Sequence, residues 1–197
     1  MNQVLGKSAG HTLEMLECIK MITNKNKDMR LEIITNELIA SILMMVQKIS
    51  KEDALKKIND VLSNGLAAEK FEKMVHALGG PSNILSSYEN DLELNTFKIE
   101  IFSEQKGWVK KILTRDLGLI LIELGGGRKQ VTDKINFAVG YDNVLSVGDK
   151  ADETKPLLTL YANTKEEAES VRKKIQNCFT ISDNEEKKLP VIYETIN

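Results

Sequence analysis

The hydrophobic period of this chain changes once, and that change limits what it can fold into. Up to Gly79-Gly80-Pro81 the apolar residues recur at helical spacing; after residue 95 they alternate. Leu13, Leu16, Ile19, Met21 and Ile22 predict a first helix, with Glu14, Glu17 and Lys20 between them. A second helix is predicted over residues 28–49. It is apolar on several sides through Leu31, Ile34, Leu38, Ile42 and Met45, as expected of a helix buried between other elements. Ser50-Lys51-Glu52-Asp53 reads as a capping box that opens a third helix, ending near Asn64-Gly65. A fourth covers residues 66–78 and stops at the Gly-Gly-Pro terminator.

Residues 81–95 are polar (Ser82, Asn83, Ser86, Ser87, Asn90) and read as a linker with room for one short helix. Phe97, Ile99 and Ile101 then alternate with Lys98 and Glu100 as a strand. A turn at Gln105-Lys106-Gly107 leads to Trp108, Val109, Ile112 and Leu113, read as its return strand. Thr114 is the expected cap of a helix over 114–124, ended by Gly125-Gly126-Gly127. Short strands are predicted at 137–140 and 144–147, a hairpin-like excursion over 147–157, and a strand over 157–162. Thr164 and Glu167 stand at capping-box spacing before a helix that reaches Asn177, and residues 189–193 form a last extended segment. The reading is an α+β protein. Residues 1–80 form a helical segment, 81–95 the linker, and 96–197 a small α+β, barrel-like domain.

Composition narrows the function. The net charge is −2, with no concentrated Lys/Arg patch, so neither nucleic acid nor an anionic membrane is an expected partner. The longest apolar patch, residues 38–46, is broken by Ser41 and too short to span a bilayer. Residues 1–10 lack the apolar run of a signal peptide. Cys18 and Cys178 are far apart and form no Cys-x-x-Cys, which fits a reducing, cytoplasmic setting.

Motifs for catalysis are sparse. Of the two histidines, neither His11 nor His76 has a Ser, Cys or Asp partner at a recognisable spacing. There is no HExxH, GxSxG or Walker sequence. The glycine run before Arg128 invites a phosphate-site reading, but it follows a helix C-terminus, and anions favour N-termini. A left-handed cap is the expected role. The stretch VGDKADETKPLLTLY is similar to turns of biotinyl- and lipoyl-type barrels, but without Met-Lys-Met it is not read as a swinging arm.

The N-terminal residues Met1, Gln3, Leu5, Gly6, Gly10, Glu14 and Glu17 match a pattern M-x-Q-x-L-G-x-x-x-G-N-x-x-E-V-x-E, with His11 and Met15 at the Asn and Val positions. With NGLAAEKFEKMVHALGG (64–80) and the block 107–162, containing GGGRKQVTDKINFAVGY, they resemble the C-terminal part of bacterial thymidine phosphorylases of the pyrimidine nucleoside phosphorylase family. The resemblance implies that residues 1–80 are the last helices of an α/β catalytic domain and that 96–197 are the family's C-terminal (hammerhead) domain. It implies a pentosyl transfer from thymidine to phosphate with no organic cofactor. It also implies a structural cation held here by the carbonyls of Leu5 and Ser8 and the carboxylate of Glu17, with the remaining ligands upstream of Met1. None of the family's phosphate- or base-binding residues maps onto this chain, so no catalytic or substrate-binding residue is assigned. The chain is expected to be inactive alone. Its expected partner is the missing N-terminal portion of the enzyme or a second copy, giving a dimer. A fragment, a split enzyme and the product of a decayed gene all remain open. The alternative is a non-enzymatic module that associates through its first helices.

Overall fold

Three helices start where a side chain supplies the first hydrogen bond. The computed structural model describes residues 2–94 and 97–196. Helix α1 spans His11–Ile22, α2 Met29–Gln47, α3 Lys51–Ser63, α4 Leu66–Ala77 and α5 Ile84–Asp91. The Asp28 carboxylate accepts from Leu31 N at 2.9 Å and opens α2; the Ser50 hydroxyl accepts from Asp53 N at 3.1 Å and opens α3. Each such cap is worth about 1 kcal/mol. Strand β1 (Phe97–Ile101) and β2 (Gly107–Ile112) come next, then α6 (Thr114–Glu123). Leu113, not Thr114, takes the N-cap position of α6. After β3 (Gly140–Asp142), β4 (Lys150–Ala151) and β5 (Leu158–Ala162), the Thr164 hydroxyl accepts from Glu167 N at 3.2 Å and opens α7 (Lys165–Asn177). Strand β6 (Phe179–Ser182) follows. The protein is α+β.

The chain divides into two compact units: Met1–Met15 with Glu93–Pro190, and Leu16–Leu92 with Val191–Asn197. The segments read from sequence (1–80, 81–95, 96–197) are therefore redistributed. The N-terminal residues join the strands, and the segment read as a linker contains α5 within the helical unit. The boundary placed at residues 95 and 96 lies outside the described residues.

In the first unit, two three-stranded sheets form, ordered β1-β5-β3 and β4-β2-β6, and the described strands close no barrel. Strand β2 is not the return strand of β1. Strand β1 pairs antiparallel with β5, from Phe97↔Ala162 to Ile101↔Leu158, while β2 pairs with β4 and β6. The expected strand at 137–140 is displaced to 140–142, and 144–147 forms none. There the backbone bonds to other segments: Leu145 N donates to Leu157 O at 2.8 Å and Val144 N to Lys7 O at 3.0 Å. Strand β5 is central because Leu158, Leu160 and Ala162 alternate inward. Its inward side chains join Ile101, Val109, Leu117, Ile120, Val171, Ile175 and Phe179 in one core. Each large aliphatic side chain so buried stabilises the unit by about 1.5–3 kcal/mol.

Residues 2–10 lie along this unit as a strap. Ala9 N donates to Tyr141 O at 2.9 Å and Tyr141 N to Ala9 O at 2.7 Å. Beside this bridge two glycines let the backbones meet. Gly10 holds φ +122°, and a Cβ there would stand 2.6 Å from Val139 O; one at Gly140 would stand 2.5 Å from Ala9 O. Both obstacles are backbone, so neither can step aside. Gly10→Ala and Gly140→Ala are each expected to destabilise the protein by about 2–4 kcal/mol, read as a lower urea midpoint. Unchanged midpoints would show that the strap contributes nothing to stability.

Candidate functional site

The N-terminal motif, the strongest site candidate in the sequence, is built as a docking segment. Gln3 is buried, and its Oε1 accepts from Val147 N at 3.0 Å, satisfying a backbone donor 144 positions away. Glu14 Oε1 accepts from Gly10 N at 2.9 Å and closes the first turn of α1. Thr12 N donates to Phe137 O at 3.2 Å. Gln3, Gly10 and Glu14 thus act on the fold. Sequence reasoning matched Gln3 without assigning it a role, because its partner is distant in the chain.

The proposed cation ligands divide between the units. Leu5 is exposed and Ser8 buried, both on the strap of the first unit; Glu17 is half-buried on α1, in the second. The carbonyls of Lys7 and Ala9 accept from Val144 and Tyr141. Two carbonyls and a carboxylate are all-oxygen donors suited to a hard cation, but fewer than the six to eight it takes. Among the described residues, no trio of His, Cys, Asp or Glu side chains could hold a metal.

The remaining candidates are explained locally. His11 stands edge-on to Phe137, with ring centroids 5.1 Å apart and planes at 68°. His76 is exposed in the last turn of α4, where a basic side chain complements the helix dipole. Gly125 has φ +91° and donates to Ile122 O, while Gly126 donates to Leu121 O: a Schellman cap, as the glycine run predicts. Arg128 is exposed beyond it. The Asp133 carboxylate accepts from the amides of Lys129 and Gln130, both at 2.9 Å, and closes the following loop. In the 147–157 excursion, Asp152 accepts from the amide and hydroxyl of Thr154. These bonds hold its carboxyl below the usual range.

Shifted ionisable groups do not converge. The shifted carboxylates Glu69, Asp152, Glu166 and Glu169 all move down, which suits hydrogen-bonded or paired anions rather than general acids. Burial, with a smaller contribution from Asp116, pushes the Cys178 thiol up to about 11; burial also raises the Tyr141 hydroxyl. A polar groove of about 450 Å³ in the first unit is lined by Ser103, Gln105, Asn177 and Thr180. Its one ionisable lining residue, Glu104, is paired with Lys173.

Comparison with known proteins places this scaffold. Residues 108–182, from β2 to the end of β6, match the model of the pyrimidine nucleoside phosphorylase C-terminal domain. Over 194 residues the chain is 36% identical to the thymidine phosphorylase of Colwellia psychrerythraea strain 34H, covering 98% of this chain and 44% of that protein. Residues 108–182 belong to the pyrimidine nucleoside phosphorylase family as its C-terminal domain. The chain spans less than half the length of this curated relative. The structural unit reaches beyond the matched family domain, since β1 and the strap pair with β5 and β3 inside it. Among the described residues no helix is long and apolar enough to cross a membrane.

The two cysteines, neither in a disulfide, separate in reactivity. The thiolate is the reactive species, so exposed Cys18 should react with a thiol reagent at pH 8 and buried Cys178 only on unfolding. Raising the Cys178 pKa from 9.0 to about 11 means that the unfolded chain gives up this proton first. Stability should therefore fall as pH rises from about 9 towards 11, and Cys178→Ala should flatten that loss. Rapid labelling of both thiols in the native protein at pH 8 would contradict this.

Proposed function

We propose that this chain is the C-terminal portion of a thymidine phosphorylase-type enzyme. The supporting observation is 36% identity to such an enzyme across 98% of this chain. In the proposed reaction a phosphate oxygen attacks C1′ of thymidine, the glycosidic C–N bond breaks, and thymine leaves with the bonding electrons. The products are thymine and 2-deoxyribose 1-phosphate. In such a reaction positioning and electrostatics carry the rate.

Within that enzyme this chain supplies scaffold rather than reacting groups. The strap and its glycines hold α1 at its first turn through Gly10 and Glu14. Leu5, Ser8 and Glu17 contribute part of a structural-cation shell, completed by oxygens from elsewhere in the enzyme. The second reading, a non-enzymatic module that self-associates as a dimer, is favoured by the exposed apolar residues Leu38, Ile42 and Met45 of α2.

Two measurements test this reading. The purified chain is expected to release no thymine from thymidine and phosphate above the uncatalysed rate. Addition of the portion of a thymidine phosphorylase that it lacks is expected to restore phosphate-dependent release. Phosphorolysis by the chain alone, or none after reconstitution of a soluble complex, would overturn the assignment. Calorimetric titration of the chain with potassium or calcium is expected to show binding no tighter than about millimolar. Tight stoichiometric binding lost in Glu17→Ala would show a complete site here.

A further inference from the structure

In the second unit α2 and α3 share a cluster of Ala40, Ala54 and Ile58, backed by Leu43, Ile49, Leu55 and Leu62, and Ile19, Met21, Leu31, Ala68 and Ile84 are buried besides. Helix α2 therefore turns the side bearing Ala40 and Leu43 towards α3. On its other side Leu38, Ile39, Ile42, Met45 and Val46 are exposed, between 39% and 75%. At about 100° per residue these five occupy an arc of about 120°. Residues 38–47 include no charged side chain, and the neighbouring Glu37 is turned to Lys51. A continuous apolar arc of this kind marks an interaction surface.

Several observations say what covers it. With no charge in the arc, an ionic partner has nothing to recognise. An arc of about 120° is broader than the two-position seam of a helix pair, and suits a sheet face or a layer of several elements. The matched C-terminal domain, 108–182, does not include α2. Yet α2 lies within a similarity that covers 98% of this chain and leaves more than half of the relative's length outside it. We propose that Leu38, Ile39, Ile42, Met45 and Val46 form the docking face for the rest of a pyrimidine nucleoside phosphorylase fold, received as a broad apolar layer. The proposal rests on the functional reading above and names the surface through which the two portions join.

The test is co-expression of the whole chain with the tagged part of the Colwellia psychrerythraea thymidine phosphorylase that lies outside the alignment. The wild-type chain is expected to co-purify with it in equal amount. The double variant Leu38→Glu/Met45→Glu is expected to bind at least about a hundredfold more weakly, since unpaired carboxylates are costly in an apolar interface. Both positions face solvent in the structure, so circular dichroism should show unchanged helicity. If the double variant fails to fold, Leu38→Gln/Met45→Gln is expected to fold and still bind at least about tenfold more weakly. Val131→Glu, at an exposed position of the first unit, is expected to bind like the wild type. Undiminished capture of the folded variants, no capture of the wild type, or a wild-type homodimer split by the double variant would overturn the proposal. Thymine release separates the two readings. A complex that forms through α2 but lacks activity defeats the functional reading alone; activity indifferent to the α2 variants defeats the docking face alone.

Discussion

The antiparallel bridge between Ala9 and Tyr141 is the contact on which the first unit depends. Tyr141 exchanges both backbone hydrogen bonds with Ala9 and stands opposite Leu160 in β5. Its hydroxyl donates to Leu117 O of α6 at 3.0 Å. One buried residue thus joins the strap, the central strand and a helix. Were the strap removed, the amide and carbonyl of Tyr141 would lose their partners at about 1–3 kcal/mol for each group left buried. The bridge exists only because glycines stand beside it at positions 10 and 140, where any side chain would strike backbone.

The two units differ in what holds them together. The first has strands and two helices around one continuous core, from Ile101 through Leu160 to Phe179. In the second, the described buried apolar residues are fewer: a cluster of Ala40, Ala54 and Ile58, with Ile19, Met21, Leu31, Ala68 and Ile84 buried outside it. Helices draw most of their stability from packing an apolar face, not from propensity. The caps at Asp28 and Ser50 contribute about 1 kcal/mol each and cannot replace that packing. The exposed arc of α2 is apolar surface that this packing leaves uncovered.

Local chemistry was legible in the sequence, and pairing across distance was not. Ser50, Thr164 and Gly125 carry short-range hydrogen bonds, and α3 and α7 begin and α6 ends where those residues predict. The α+β class followed from the change of hydrophobic period. Strand partners did not follow. Phe97–Ile101 and Gly107–Ile112 look like a hairpin in sequence, yet each finds its neighbours tens of residues later, in β5 and in β4 and β6. Alternation shows that a strand has an inner face, but it does not name the strand beside it. Similarly, the polar tract at 81–95 suggested a linker, while Leu85 N reaches back to the Glu72 carboxylate at 3.1 Å and draws α5 into the helical unit. Strand β6 escaped notice because it directly follows α7, with the Cys178 cap between them.

The N-terminal motif shows why a site can be recognised in sequence before its work is understood. The strap is committed to the fold through the carbonyls of Lys7 and Ala9. The match of Gln3, Gly10 and Glu14 to the family pattern is accounted for by this docking alone.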